Sequence, residues 1–418
     1  MNELIVHCGE NRTEVALLEH GKLVEFYEEH KQERTMAGNI YRARVVNVLP
    51  GMQAAFVDIG QKKNAFLYVD DLLDPHLEKQ PKNKPSITAL VREGEELLVQ
   101  VTKEPSGSKG ARVTTHFALP GRCMVYMPFA DYVGVSRKLG SEAERNRLKL
   151  LGEQLREPGE GIILRTAAEG AGAEQLSYDL LFLRKLWTSI YERRKESEAP
   201  CLLYGELDVV PRLVRDAFTT EIDRMSINEQ DKLQSIVSLL QGFAPELVSR
   251  VTYAPTPESR SRMQGIEREL ERSFQRKVSL ASGGYLVVDS TEALTVIDVN
   301  TGKYIGTDGK DSLELTVFDT NMEAAEEIAR LLRLRDIGGI VIVDFIDMQQ
   351  DRHKEEVQER LVSTMKKDRS KHHVIGWTKL GLMELTRRKI RENISQRFIE
   401  TCQACKGSGK VAVRTRKL

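Results

Sequence analysis

The sequence predicts an α+β protein built from several domains. Its 418 residues are more than one ordinary hydrophobic core accommodates, so we expect two to four domains. Short strands separated by glycine turns fill residues 38–118, whereas strands alternate with amphipathic helices over residues 279–400. The first pattern is typical of a β-barrel and the second of an α/β layer.

Composition and charge exclude several classes of protein. Hydrophobic residues make up 40% of the chain and charged residues 30%, while 62 Lys and Arg balance 62 Asp and Glu. The net charge therefore favours no particular partner. No apolar stretch is long enough to cross a bilayer, and the N-terminal sequence lacks the layout of a signal peptide. Because five scattered cysteines do not make a disulfide framework, we expect a cytosolic protein.

The first 118 residues are predicted to be almost entirely β structure. Residues 1–37 give short strands, with a hairpin turn at the Glu-His-Gly-Lys of residues 19–22. From residue 38, five short strands are interrupted by one polar, proline-bearing stretch that we expect to be a surface loop. This pattern predicts a small closed β-barrel of the OB type over residues 38–118.

Two phenylalanines of this barrel are candidate nucleic-acid contacts. Phe56 and Phe66 are ten residues apart on successive predicted strands. Four basic residues belong to the same predicted barrel: Lys62, Lys63, Lys109 and Arg112. Aromatic rings with interleaved bases on an OB-type sheet bind single-stranded nucleic acid by stacking. The alternative is that both rings fill the barrel core.

The middle of the chain contains a candidate phosphate pocket. Residues 119–215 mix strands with charged helices, and residues 216–278 are predicted to be mostly helical. Arg165 and Thr166 follow a predicted strand and precede a glycine-bearing loop. A guanidinium, a hydroxyl and exposed backbone N–H groups suit a phosphate. The alternative is a surface ion pair next to a turn.

Residues 279–400 are predicted to form an α/β layer. A helix is expected to begin at the Thr-Asn of "TNMEAAEEIARLLRLRD", because Thr and Asn are start signals. The apolar run "IGGIVIVDFIDM" is expected to be a buried central strand. Two further helices are predicted in "HKEEVQERLVSTMKKDRS" and "LMELTRRKIRENISQRF".

Two acidic residues in this layer are the strongest candidates for chemistry. Asp298 ends the predicted strand "LTVID", and Asp344 lies in "IVIVDFID", where an isolated charge is costly to bury. Either carboxylate alone could pair with an arginine. Together, on neighbouring strands, they suit a Mg²⁺ ion that takes its other ligands from water and phosphate. Asn300 and Asp347 could orient the surrounding waters.

Phosphodiester hydrolysis is the chemistry that such a site supports. Basic runs at 366–371 and 387–391 fall in the same predicted domain and could hold a negatively charged polymer. The sequence contains no phosphate loop of the type GxxxxGK[ST], no GxSxG elbow and no HExxH motif.

The closing segment contains Cys402 and Cys405 at CxxC spacing. Such a pair is either half of a four-ligand zinc site or a redox pair. A redox pair is expected to open a helix in a βαβ unit, whereas this one follows a predicted helix. We therefore expect a zinc site completed by the cysteines of a second copy of the chain.

Several of these stretches closely resemble the bacterial RNase E/RNase G family of endoribonucleases. They are "STEALTVIDVNTG", "TNMEAAEEIARLLRLRDIGGIVIVDFIDM", "GNIYRARVVNVLPGMQAAFVDIG", "GIILRTA" and the closing CxxCxGxG. The resemblance runs from residue 1 to about residue 410, in order and without large gaps. It implies an RNase H-like domain interrupted by other domains, a DNase I-like catalytic domain and a zinc link. The implied parts are 1–37 and 216–278 (RNase H-like), 38–118 (RNA-binding barrel), 119–215 (5′-sensor), 279–400 (catalytic) and 401–418 (zinc link and basic tail).

The resemblance also implies roles for individual residues. Asp298 and Asp344 match magnesium ligands, and Asn300 matches a catalytic asparagine. The implied RNA contacts are Phe56 and Phe66, with Lys109 and Arg112 beside them. The implied 5′-phosphate sensors are Arg165, Thr166, Arg137 and Lys379. Lys379 replaces an arginine of one branch of the family, so its bidentate fork is lost.

The activity implied is Mg²⁺-dependent cleavage of single-stranded RNA to 5′-phosphate and 3′-hydroxyl ends, with preference for 5′-monophosphorylated substrates. Roles in rRNA maturation and mRNA turnover follow from it. The alternatives are an RNA-binding protein that has lost its nuclease activity and a nuclease that acts on DNA.

Two departures from the family pattern bear on assembly. The cysteine pair reads Cys-Gln-Ala-Cys, without the usual proline after the first cysteine. The chain ends at Leu418, where longer members continue into a small domain that joins dimers. We therefore expect a zinc-linked homodimer rather than a tetramer, and no degradosome scaffold.

Overall fold

The computed structural model describes most of the chain. The described residues are 1–30, 35–73, 84–105, 109–302, 310–389, 400, 402–405 and 409. Their contacts divide the chain into two compact units. The first comprises Met1–His7, Glu14–Tyr27 and Ala254–Leu418, and the second comprises Cys8–Thr13 and Glu28–Tyr253. The division into RNase H-like, sensor and DNase I-like parts stays a prediction.

The chain opens with three neighbouring strands, β1 (Glu3–Cys8), β2 (Arg12–Glu19) and β3 (Lys22–His30). His20 and Gly21 join β2 to β3, and both adopt positive φ angles, of 51° and 79°. A two-residue hairpin turn of this kind matches the right-handed twist of the strands it connects. The predicted hairpin is therefore confirmed.

The second unit contains a closed five-stranded barrel. Its strands are β4 (Ile40–Leu49), β5 (Ala54–Asp58), β6 (Ala65–Tyr68), β7 (Glu96–Lys103) and β8 (Arg112–Thr114). They follow the order β4-β5-β6-β8-β7, and pairing of β4 with β7 closes the barrel. A short helix, α1 (Ile87–Leu90), precedes β7. The predicted barrel is confirmed and is consistent with the OB type; most of the predicted surface loop lies outside the described residues.

A four-stranded sheet and its helices follow the barrel. The strands are β9 (Leu119–Pro120), β10 (Met124–Pro128), β11 (Val133–Val135) and β12 (Glu160–Leu164), in the order β11-β12-β10-β9. Two helices accompany them, α2 (Glu142–Leu155) and α3 (Ala173–Glu196). Apolar residues of α3, including Leu176, Leu180 and Leu183, are buried against the sheet.

The rest of the second unit is a mixture of strands and helices. Its elements are β13 (Cys201–Tyr204), α4 (Val209–Asp216), β14 (Arg224–Ile227), α5 (Gln230–Phe243) and β15 (Val251–Tyr253). β13 pairs with β4 of the barrel, and β14 pairs with β15 in parallel.

The first unit contains the predicted α/β layer. Its elements are α6 (Thr256–Ser273), β16 (Lys277–Ser279), β17 (Tyr285–Ser290), β18 (Leu294–Asn300), α7 (Lys310–Leu334), β19 (Gly339–Asp344), α8 (Asp351–Met365), β20 (His372–Trp377) and β21 (Met383–Arg387). The six strands form one sheet in the order β16-β17-β18-β19-β21-β20, in which β18 and β19 are parallel. Helices α7 and α8 share an apolar core with one face of this sheet.

Three predictions for this layer need correction. Helix α7 begins by Lys310, ten residues before the expected start, so Thr320 and Asn321 lie inside it. Strand β19 is central but is buried on one face only, because Ile340 is 48% exposed. Residues 383–387, expected to open a third helix, form β21 because they pair with β19 and β20. No helix of the described residues is both long and apolar enough to cross a membrane.

Candidate active site

The two candidate carboxylates lie side by side on the first unit's sheet. Asp298 of β18 and Asp344 of β19 are register partners in the parallel pair. The buried residues Ile297, Val299 and Val343 alternate with them and face the helices. Because side chains alternate across a strand, both carboxylates point to the open face, and both are exposed. The register thus brings two acidic groups together at one end of adjacent parallel strands.

The electrostatics of the pair favour a bound cation. Partial burial, followed by the negative charges of Asp298 and Asp347, raises the pKa of Asp344. The amide of Asn300 donates a hydrogen bond of 2.8 Å to Oδ2 of Asp298. A divalent cation between the carboxylates would relieve their repulsion. The prediction that Asn300 and Asp347 belong to this cluster agrees with these interactions.

The two carboxylates are oxygen donors of the kind that Mg²⁺ accepts. Among the residues that the structure describes, no group of three or more His, Cys, Asp or Glu side chains is arranged to hold a metal. Mg²⁺ is commonly held by one or two carboxylates, with water and substrate phosphate completing its octahedron. Asp298 and Asp344 therefore fit this ion.

Asn321 supports the segment that follows Asp344. This residue of α7 is fully buried. Its side-chain amide donates to the carbonyl of Ile346 at 2.8 Å and accepts from the N–H of Ile346 at 3.1 Å. The two bonds fix the backbone between Asp344 and Asp347. Sequence reasoning missed this role because Asn321 was assigned to a helix start.

Glu314 holds the next part of the same loop. Its carboxylate accepts from the backbone N–H groups of Gln349 and Gln350 and pairs with Nδ1 of His353 at 2.8 Å. The His353 hydrogen bond is the main cause that lowers the pKa of Glu314. The carboxylate therefore caps the start of α8, where backbone N–H groups lack helical partners.

Two glycines permit close packing at the end of β18. A Cβ on Gly284 would lie 2.7 Å from the carbonyl oxygen of Asn300. Gly302 has a φ of 65°, and a Cβ there would lie 2.4 Å from the carbonyl oxygen of Gly283. Larger residues at either position would push the backbone away from the Asn300 end of the strand.

The candidate aromatic contacts lie on the outside of the barrel. Phe56 and Phe66 are register partners on β5 and β6, and their ring centroids are 5.9 Å apart in an edge-to-face arrangement. The neighbouring residues Ala55, Val57 and Leu67 fill the barrel core, to which neither phenylalanine belongs. The alternative that both rings fill the core is therefore wrong.

Basic residues lie close to these rings or on nearby turns. Arg112 of β8 is the register partner of Phe66, and its guanidinium pairs with Asp71 at 2.9 Å. Lys62, Lys63 and Lys109 are exposed. The barrel thus combines two half-buried rings with cationic side chains on its outer surface.

The candidate phosphate pocket lies at one end of the four-stranded sheet. Arg165 follows β12, and Arg137 follows the parallel strand β11, whose Val135 is the register partner of Leu164. Both arginines therefore leave the same end of the pair. Thr166 begins a short 3-10 turn directly after Arg165. Arg165 also forms an ion pair of 2.7 Å with Asp216. The predicted alternative, an ion pair next to a turn, is therefore present, and the phosphate pocket stays a prediction.

Comparison with known proteins identifies the family. Residues 118–390 match the model of the Ribonuclease E/G family. The chain is 42% identical to Ribonuclease G of Escherichia coli over 416 residues, which is 98% of this chain and 84% of that protein. Ribonuclease G of Haemophilus influenzae is also 42% identical, with the same coverage. The chain belongs to the Ribonuclease E/G family.

Membership makes the chain an endoribonuclease, a hydrolase of RNA phosphodiester bonds. The similarity extends to Ribonuclease E of Nostoc, which is 38% identical over 394 residues. That match covers 92% of this chain and 56% of the Nostoc protein.

The fourth candidate phosphate contact of this family member lies in the other compact unit. Lys379 is exposed in the turn between β20 and β21, whereas Arg137, Arg165 and Thr166 belong to the second unit. The side-chain hydroxyl of Thr378 accepts from the N–H groups of Leu380 and Leu382 and so stabilises this turn.

The predicted basic runs are less available to RNA than the sequence indicates. Arg387 is buried and pairs with Asp336 at 2.7 Å and with Asp368 at 2.6 Å. Asp368 itself belongs to the first run, and Arg369 pairs with Glu25. These residues stabilise the fold of this endoribonuclease, while residues 390 and 391 lie outside the described part.

The cysteine pair lies in a short described segment, residues 402–405. The backbone N–H groups of Cys405 and Ala404 interact with the sulfur of Cys402 and lower the pKa of its thiol. A thiolate is the form that binds zinc. The remaining cysteines, Cys8, Cys123 and Cys201, are buried or half-buried, and burial raises the pKa of Cys8 and of Cys123 to about 11. Raised pKa values disfavour the reactive thiolate form of Cys8 and Cys123.

Proposed function

We propose that this chain is a Mg²⁺-dependent endoribonuclease that cleaves single-stranded RNA and acts in RNA processing and decay. The observation that carries the proposal is the parallel register of Asp298 and Asp344, which places two carboxylates together on the open face of the sheet. The names of the relatives agree with an activity on RNA.

Asp298 and Asp344 would hold the ion. When bound, Mg²⁺ supplies Lewis-acid polarisation of the phosphate and lowers the pKa of water. Asn300 orients the Asp298 carboxylate through its 2.8 Å hydrogen bond, and Asn321 fixes the backbone that follows Asp344. Hydrolysis would leave a 5′-phosphate and a 3′-hydroxyl.

The barrel and the pocket at Arg165 would select the substrate. The rings of Phe56 and Phe66 offer a stacking surface that suits unpaired bases of any sequence. Arg165, with Arg137 and Thr166 at the same sheet end, would contact a 5′-terminal monophosphate. Lys379 would add a positive charge without a bidentate fork.

A structural zinc would link two copies of the chain. Cys402 and Cys405 supply one thiolate each, two per chain, so two chains complete the four ligands of a tetrahedral site. The lowered pKa of Cys402 favours the thiolate form that binds a metal.

The Asp344→Asn variant tests the catalytic proposal. Cleavage of a single-stranded RNA in Mg²⁺ should fall by at least about a thousandfold, because a neutral amide is a poor ligand for the ion. RNA binding, measured by fluorescence anisotropy, should stay close to wild type. Asp289→Asn is the matched control, since Asp289 is an exposed carboxylate on the same sheet that pairs with Arg276 instead. Full activity of Asp344→Asn would overturn the proposal.

Two substrate comparisons test selectivity. An RNA oligonucleotide should be cleaved much faster than a DNA oligonucleotide of the same sequence. Among RNAs with 5′-triphosphate, 5′-monophosphate or 5′-hydroxyl ends, the monophosphate should be cleaved fastest. Equal rates for the three ends would refute the role given to Arg165 and Thr166.

A further inference from the structure

Arg165 is fixed on one side and open on the other. Its Nη1 donates to the carbonyl of Gly121 at 2.6 Å and to Oδ1 of Asp216 at 2.7 Å. Those two bonds use both hydrogens of Nη1. Within the described residues, Nε and Nη2 make no hydrogen bond, and the side chain is 30% exposed. The free edge of the guanidinium therefore presents donors that match a phosphate bidentately.

Asp216 is itself held by a second arginine. Nε and Nη2 of Arg215 donate to the two carboxylate oxygens of Asp216 at 3.1 and 3.0 Å. Burial alone would raise the pKa of Asp216, but the hydrogen bond from Arg215 and the charge of Arg165 outweigh it, so the pKa is lowered. The carboxylate is thus ionised and cannot rotate freely.

The row of charges continues to Glu206 and the start of the barrel. Nη1 of Arg215 donates to Glu206 at 2.9 Å, and these two side chains are only 9% and 7% exposed. The N–H of Glu206 donates to the side chain of Asn39, the residue before β4. Gly38 permits this approach, because a Cβ there would lie 2.7 Å from Oε2 of Glu206. Four alternating charges therefore connect the barrel's first strand to Arg165.

We propose that Asp216, backed by Arg215, is a positioning residue that orients Arg165 toward the 5′-terminal phosphate of RNA. The inference rests on the proposed role of Arg165. An arginine side chain loses much rotamer freedom when it binds, and one that is already fixed loses less. Because Asp216 accepts hydrogen bonds from both Arg215 and Arg165, it orients Arg165 without forming an exclusive ion pair with it.

The test compares 5′-monophosphate and 5′-hydroxyl versions of one RNA in each variant. In Asp216→Ala the ratio of kcat/KM for the two RNAs should fall by about tenfold, mainly through KM of the phosphorylated RNA, because an oriented charged hydrogen bond is lost. The rate on 5′-hydroxyl RNA should be unchanged. Asp216→Asn keeps an acceptor at Oδ1 and should retain most of the ratio. The ratio cancels any difference in the fraction of folded enzyme.

Arg165→Ala and the double variant separate the two proposals. In Arg165→Ala the two RNAs should have equal kcat/KM. Adding Asp216→Ala to this variant should not change the ratio further. An unchanged ratio in Arg165→Ala would overturn the sensor role itself. If the kcat/KM ratio falls to one in Arg165→Ala but stays at the wild-type value in Asp216→Ala, only the positioning role is overturned. Equal losses on both RNAs in Asp216→Ala would also overturn it, since they indicate general destabilisation. Asp131→Ala, which removes an exposed ion pair with Arg156, is the control.

Discussion

At the scale of single residues, Phe56 and Phe66 face outward because successive side chains of a strand point to opposite faces. Buried Ala55 and Val57 flank Phe56 on β5, and both face the barrel core. The phenylalanines therefore face outward, half-buried against each other. Their rings can be removed without emptying the core, so a binding defect can be distinguished from unfolding.

Replacing Phe66 by alanine should weaken binding of single-stranded RNA. A stacked base contributes about 1–3 kcal/mol, so we expect an affinity loss of roughly five- to hundredfold. Fluorescence anisotropy with a short unstructured RNA measures it. Val46→Ala, on the exposed side of β4, should leave the affinity unchanged. Binding equal to wild type in Phe66→Ala would show that the rings do not contact RNA.

The sequence predicts some residues of the site much better than others. Asp298 and Asp344 are charged residues near or at the ends of apolar strands, a pattern that stands out in one chain alone. Asn321 and Glu314 act from a helix across space, and no local pattern marks such contacts. Asn321 next to Thr320 instead imitates a helix start, because short polar side chains favour helix caps.

At the scale of elements, strand β21 shows tertiary pairing overriding local propensity. Residues 383–387 read Met-Glu-Leu-Thr-Arg, mostly good helix formers, and they were predicted to open a helix. Pairing on both sides makes them a strand, with Met383 and Leu385 buried in the core. The barrel is predicted correctly, since its strands alternate regularly and its turns contain glycine.

Arg387 at the end of β21 should be essential for the stability of this sheet. It is 4% exposed, and its guanidinium bridges Asp336 and Asp368. Arg387→Ala would remove the guanidinium that bridges two buried carboxylates, which costs about 3–5 kcal/mol. Urea denaturation followed by circular dichroism measures the free energy of unfolding.

The neighbouring Arg388 offers a matched control, since it is exposed. Arg388→Ala should change the free energy of unfolding by less than about 0.5 kcal/mol. Equal effects of the two substitutions would contradict the structural role of the Arg387 ion pairs.

At the scale of the whole molecule, the prediction of a dimer comes from the number of ligands that a zinc ion needs. Two cysteines from one chain leave a tetrahedral zinc site half complete. In the proposed dimer a two-fold axis would supply the other half from a second copy, and the metal would hold the two chains together.

The Cys402→Ser variant should therefore dissociate the dimer. Native mass spectrometry of the wild-type protein should show a dimer with one zinc, and the variant or a chelated sample should show monomers without zinc. Cys201→Ser, which alters a thiol remote from the pair in sequence, should remain dimeric with zinc. A zinc-free dimer, or a monomer with a full complement of zinc, would refute the shared site.

Asp298 and Asp344 are proposed to act together on one ion. A double-mutant cycle of Asp298→Asn and Asp344→Asn, scored by kcat/KM for a single-stranded RNA in Mg²⁺, tests it directly. Residues that act as a unit are strongly non-additive, so each single variant should lose at least about a thousandfold and the double variant little more. Additive losses, or substantial activity in either single variant, would contradict the shared metal site.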